Sequence, residues 1–220
     1  MSNHGAYTAE RASALSGVPK STIHWWDRRG VLEPSVSPKT LKLWSFEDLV
    51  ALRVIYWLRQ KKTSQLGHET PSTSLSTIQT ALAELRTLKL PVQTDEGWSI
   101  FVTPDGHTYI NAPEGPRTPD GQFRLPNLLD AIAPFSTAEG PKGPDLVRPR
   151  PQLRIVPGRL SGSPHIEDTR VETRAVAALA RDGASNHRIL TLYPFLTMEK
   201  IGQAVDLEDQ LADNLTRQVA

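Results

Sequence analysis

A chain of 220 residues with no cysteine has room for one large or two small hydrophobic cores, and it excludes both a disulfide framework and a thiolate metal site. Hydrophobic (38%) and charged (22%) contents are those of a soluble globular protein; no apolar stretch reaches membrane-spanning length, the first residues do not read as a secretory signal, and a cytoplasmic location is expected. The net charge of +1 conceals an asymmetry: residues 1–62 hold ten Lys/Arg against five Asp/Glu (net +5), 63–150 seven against ten (net −3), and 151–220 eight against nine (net −1).

In chain order, two short helices come first. Thr8 suits an N-cap, Ala12 and Leu15 form an apolar stripe, and Gly17 stops the first helix. Pro19 fits the first turn of the second helix and Gly30 ends it, so the intervening gap has the length of a helix-turn-helix turn. The stretch 31–44 reads as extended, a small hairpin with Ser37, Pro38, Lys39 and Thr40 at its tip. Ser45 then caps a helix running to Lys62, and 72–90 is a further amphipathic helix. Asp105-Gly106 marks a hairpin within 98–112, and 125–135 reads as a short helix. Residues 136–151, rich in proline and glycine, read as a linker. A strand and turn then precede three helices: one ended by Gly183, one from Ser185 to Pro194, and one capped by Thr197.

The adjacent tryptophans Trp25 and Trp26 carry the first functional signal. Neighbours on a helix point about 100° apart, so at most one of the pair can sit at the centre of a buried face. A wheel places Trp26 with Ile23 on the core side and Trp25 on the opposite side, among Ser21, His24 and Arg28, flanked by Thr22 and Arg29. Hydroxyls and guanidinium groups bond phosphates and base edges, and an indole packs on sugar while donating its N–H. Lys20, Ser21, Thr22, His24, Trp25, Arg28 and Arg29, with Lys39 and Lys42 from the hairpin, are the candidate DNA-binding residues. The other reading is a packing module in which another part of the chain covers Trp25.

These residues also resemble a known family. Thr22, Ile23, Trp25, Trp26, Gly30, Val31, Leu32 and Pro34, followed by Trp44, Phe46 and Asp48, match in order the pattern of the MerR-type winged helix-turn-helix; His24 stands where that pattern has arginine. The resemblance implies DNA binding over about the first 60 residues. A second resemblance covers the C-terminal region. Gly162, Pro164, Ile166, Thr169, Arg170, Gly183, Ser185, Ile189, Tyr193, Pro194, Leu196, Thr197, Ile201 and Ala204 match domain of unknown function 433, with Asp168 where that pattern has glycine. This resemblance implies an antitoxin of a toxin–antitoxin pair, whose partner is a PIN-like ribonuclease toxin.

For the residues themselves, Gly162 and Pro164 set a turn and Ile189 and Leu196 suit a core. Arg170 suits either a partner contact or a salt bridge. The tail 206–220 is net −3, with Leu207, Leu211 and Leu215 at i+4 spacing; it fits an acidic helix packed on a basic partner cleft or an RNA-binding groove, or a solvated surface helix. Arg170, Leu207, Leu211 and Leu215 are the candidate toxin-binding residues. No P-loop, dinucleotide fingerprint, nucleophile elbow or metal-ligand spacing occurs, so neither an enzyme nor a cofactor is expected.

The expected fold is mainly α with small β elements: an N-terminal winged helix-turn-helix (1–62), a helix-plus-hairpin extension (63–135), a linker (136–151) and a C-terminal tri-helical, helix-turn-helix-like domain ending in the acidic helix (152–220). The expected function is that of a VapB-like antitoxin that neutralises its toxin and represses its own operon by binding operator DNA as a homodimer. The alternative is a MerR-like transcriptional regulator without a toxin partner.

Overall fold

The computed structural model describes residues 5–60, 62–63, 69–70, 73–87, 99–111, 128–136 and 142–216. Helix α1 (Ala9–Ser16) starts where the Thr8 hydroxyl accepts the Arg11 N–H, and stops at Gly17, whose left-handed backbone (φ 76°) returns its N–H to the Ser13 carbonyl. Val18 and Pro19 lead directly into α2 (Lys20–Arg28). The extended stretch 31–44 closes at a Ser37–Leu43 bridge, and Tyr7 and Trp44 exchange both backbone hydrogen bonds at 2.8 Å.

Helix α3 (Phe46–Arg59) opens on a capping box. Ser45 Oγ accepts the Asp48 N–H, and the Asp48 carboxylate accepts the Ser45 N–H. The same carboxylate accepts the N–H and hydroxyl of Ser35, fastening 31–44 to the start of α3. Burial raises the pKa of Asp48, with the Ser35 and Ser45 hydrogen bonds pulling it back.

After α3, the two-residue strands β1 (Lys62–Thr63) and β2 (Glu69–Thr70) pair. Helix α4 (Leu75–Thr87) packs on α3 through Ile78, Ala81 and Leu82. Residue 72 and residues 88–90 of the expected helix lie outside the described residues. The hairpin at Asp105-Gly106 is β3 (Ser99–Val102) with β4 (Thr108–Asn111), and β5 (Leu129–Asp130) adds to the other edge of β3.

The helix expected over 125–135 is not formed in its described part, 128–135. Leu129 and Asp130 pair with β3, and Asp130 Oδ1 accepts the N–H groups of Ile132 and Ala133. An Asp side chain that serves its own downstream N–H groups competes with helix. Ile132 is buried all the same, so the apolar residues found a core without a helix.

Strands β6 (Phe135–Ser136) and β7 (Lys142–Gly143) pair next, and 142–151, read above as linker, is packed. Asn214 Oδ1 accepts the Lys142 N–H while Asn214 Nδ2 donates to the Lys142 and Ala14 carbonyls, all at 2.9 Å. Arg150 bonds Asp206 and Gln210, and Leu146 is fully buried. Residues 137–141 of that stretch lie outside the described residues.

Strands β8 (Leu153–Arg154) and β9 (His165–Ile166) flank a ten-residue loop with a 3-10 turn at Leu160–Gly162, and α5 (Thr173–Arg181), α6 (Asn186–Leu192) and α7 (Met198–Thr216) follow. Ser185 caps α6 as expected, accepting the Arg188 N–H. Helix α7 runs unbroken into the acidic tail as far as Thr216, residues 217–220 of that tail lying outside the described residues, and packs on both α5 and α1. One connected core thereby runs from Tyr7, Leu15, Ile23 and Trp44 to Ile189, Leu207 and Leu211. The fold is mainly α with small antiparallel sheets.

Arg53 ties the middle of the chain to its start. It lies wholly buried on the face of α3 that also carries Leu49. Its guanidinium donates to six carbonyls: Leu15, Ser16, Ala131, Ile132, Ala133 and Pro144. Burial pulls its pKa down to about 9, opposed by the charges of Asp145 and Asp130, so it stays protonated at neutral pH.

Candidate nucleic-acid interface

Helix α2 divides as its sequence period demands. Ile23 and Trp26 turn inward, Trp26 at 4% exposure with its ring edge-on to Tyr56 (centroids 6.4 Å apart), whereas Trp25 is 42% exposed. Ser21, Trp25 and Arg28 recur at i, i+4 and i+7 on the open face, and Arg29 follows at the C-cap. The Arg29 guanidinium lies 5.5 Å from the Trp25 ring centroid. That cation–π contact holds the indole and the charge together in water. Thr22 and His24 border the face and are half-buried.

The remaining candidates are placed differently. Lys20, at the start of α2, pairs with Glu10 of α1 at 2.7 Å. Lys42 pairs with Asp27, whose side chain is buried beneath it, so the 31–44 stretch is stapled to α2 by the lysine expected to contact DNA. Lys39 stands exposed at the tip of the Ser37–Leu43 turn. The structure thus brings Ser21, Trp25, Arg28 and Arg29 into one exposed surface, and spends the charges of Lys20 and Lys42 on intramolecular pairs.

In the C-terminal half, Arg170 is exposed and lines a shallow groove with Val171, Ala175 and Tyr193. Leu207 and Leu211 correct the sequence expectation: at 0% and 2% exposure they belong to the chain's own core, and Leu215 is half-buried against it. The apolar stripe of the acidic helix is satisfied inside the chain because α7 packs on α5 and α1. Among the described residues of this half, the large apolar side chains that face solvent are Leu192, Phe195 and Met198, from α6 to the first turn of α7.

The polar latch between the two ends was not anticipated. Arg11 of α1 forms a two-pronged pair with Glu208 of α7 at 2.7 and 2.8 Å, and Thr173 donates to the same carboxylate. A signal existed: Glu208 follows Leu207 and precedes Leu211 by three, on the flank of the apolar stripe. Among the described residues, no group of three or more His, Asp or Glu is placed to hold a metal ion, and no helix is long and apolar enough to cross a membrane.

Comparison with known proteins adds two partial likenesses. Residues 7–66 match the family model described as MerR HTH family regulatory protein, and residues 154–206 match the one described as a protein of unknown function, DUF433. No curated protein and no solved structure matches the chain. The first likeness contains the whole α2 face and points to DNA binding and regulation.

Proposed function

We propose that the chain, through its MerR-like region, is a winged helix-turn-helix DNA-binding regulator that represses its own operon, with α2 as the recognition helix and 31–44 as the wing. The exposed Ser21–Trp25–Arg28–Arg29 face, carried on the segment of net charge +5, is the observation that supports this reading most directly. In this arrangement Arg28 and Arg29 bond phosphates or base edges, and Trp25 packs on sugar and donates its N–H. A two-fold symmetric operator requires two copies, so the active species is a homodimer. No catalytic step is assigned, and the chain acts in the cytoplasm.

The finer reading is an antitoxin: the C-terminal half neutralises a PIN-like ribonuclease toxin. Its support is the DUF433-like region together with the uncovered Leu192, Phe195 and Met198 within it. A gel shift with DNA from upstream of its gene tests the first part; no shift at low salt ends it. Co-expression with a neighbouring gene the size of a small nuclease tests the second. A stable complex and rescued growth support the antitoxin; neither effect leaves a MerR-like regulator without a toxin partner.

A further inference from the structure

A cleft of about 390 Å³ opens between α1, the turn at 159–163, α5 and α7, walled by both ends of the chain. That volume is in the range of small-molecule sites. Its apolar wall is Ala14, Leu211 and Leu215; its polar rim carries three guanidinium groups, Arg11, Arg174 and Arg181, and two carboxylates, Glu10 and Glu208, which are already paired with Lys20 and Arg11. Arg174 and Arg181 are seven residues apart on α5, two helical turns, and so project on the same side.

The three arginines differ in what they are free to do. Arg11 is committed to the buried Glu208. Arg174 and Arg181 pair with Glu172 and Asp209, but their side chains are 69% and 50% exposed. Exposed pairs contribute little, so these two guanidinium groups change partner at small cost. The opposite wall holds Leu160 and Ser161, two non-glycine residues in the left-handed region (φ 50° and 53°). Ala6 N–H bonds the Ser161 carbonyl at 2.9 Å and fixes that turn. Strained backbone of this kind concentrates at ligand sites.

We infer that this cleft binds a small organic phosphate, its phosphate on Arg174 and Arg181 and its apolar body against Ala14, Leu211 and Leu215. A phosphate monoester suits two guanidinium groups better than a carboxylate does, because it carries up to two negative charges against one and offers three terminal oxygens against two. The inference is independent of DNA recognition, since no residue of the α2 face lines the cleft.

The test is isothermal titration calorimetry of the full chain with phenyl phosphate, benzoate and phenol, without DNA. Saturable one-to-one heat with phenyl phosphate at concentrations of about 1 mM or below is expected. Arg174→Ala combined with Arg181→Ala is expected to weaken binding roughly tenfold or more, the loss of charge-assisted hydrogen bonds. Ala212→Phe, which narrows the cleft and keeps all three arginines in the chain, abolishes it, and Arg188→Ala, on α6 outside the cleft lining, leaves it unchanged. Absence of saturable heat with phenyl phosphate, binding that survives both cleft variants, or equal binding of benzoate or phenol overturns the assignment. Because the titration contains no DNA, its failure leaves the gel-shift result untouched.

Discussion

The Tyr7 hydroxyl donates to the Gly162 carbonyl at 2.9 Å, joining positions 155 residues apart. Tyr7 opens the region that resembles MerR proteins, and Gly162 is part of the motif shared with DUF433. Gly162 sits at φ 79°, and a Cβ there would collide with the Tyr7 hydroxyl. Burial raises the hydroxyl's pKa far above its ordinary value, so it remains a donor across the working pH range. Tyr7→Phe is expected to cost about 1 kcal/mol, the net worth of one hydrogen bond, plus the penalty of an unsatisfied carbonyl. Gly162→Ala is expected to cost more, because strain and collision add. Urea unfolding monitored by tryptophan fluorescence ranks the two; a harmless Gly162→Ala would mean that the ends do not meet in this way.

The Arg11–Glu208 latch makes stability depend on acid. Burial opposes the Glu208 charge, but the hydrogen bonds and charge of Arg11, with Thr173 and the Arg181 charge, outweigh it, and its pKa falls below the ordinary 4.5. A carboxyl with a depressed folded pKa binds fewer protons folded than unfolded. Its contribution is therefore full above 4.5 and lost as the pH falls through the folded value. Glu208→Gln is expected to cost about 2–3 kcal/mol at pH 7, less than a fully buried pair because Arg11 keeps some solvent access. Denaturation midpoints of the variant should change less than those of the native chain as the pH falls below 4.5; parallel curves would exclude Glu208 as the responsible group.

Local rules made much of this fold legible. Thr8, Gly17, Ser45 and Ser185 each cap or stop a helix where their side chains or backbone freedom say they should. The 100° step between neighbours separated Trp25 from Trp26 without any structure. What sequence period does not carry is a bond between distant polar groups. The proline- and glycine-rich 142–151 looked like a spacer by composition, yet proline keeps its carbonyl, and Pro144 uses it to accept from Arg53. Likewise the spacing of Leu207 and Leu211 announced an apolar stripe but not what covers it, since that depends on where α1 lies.

Arg53 is the sharpest case of this kind. Removing its guanidinium leaves the carbonyls of Leu15, Ser16, Ala131, Ile132, Ala133 and Pro144 without this donor in the interior. At about 1–3 kcal/mol for each buried group left unpaired, Arg53→Ala is expected to prevent folding at ordinary temperature. Arg53→Lys is expected to rescue little, because three donors on a point charge cannot reproduce a five-donor planar fork. Native-like near-ultraviolet circular dichroism in Arg53→Lys would show that the charge alone suffices.

Asp168 occupies a position where the DUF433-like pattern has glycine, and its φ is 61°. Aspartate is among the residues that tolerate the left-handed region, but not without cost. Asp168→Gly relieves that strain while giving back some chain entropy, for an expected net gain of about 0.5 kcal/mol. A small rise in melting temperature is the supporting result, and a fall of several degrees would show that the carboxylate has a role of its own.

The proposed DNA face gives the last expectation, and it separates charge that is available from charge that is already neutralised. Each phosphate contact contributes about 0.9 to the slope of log affinity against log salt. Arg28 and Arg29 are exposed, so changing both to Ala should lower the slope by about 1.8. Lys42 is paired with Asp27, so Lys42→Ala should change the slope less than either arginine, while loosening the wing through loss of its staple. Trp25→Ala should weaken binding by about tenfold with little loss of stability, whereas Trp26→Ala removes a buried indole and should cost about 3–5 kcal/mol in folding. Titrations at several salt concentrations, read beside unfolding curves of the same variants, test all four. A slope unchanged by loss of Arg28 and Arg29 would put both arginines off the phosphate backbone and require a different recognition surface.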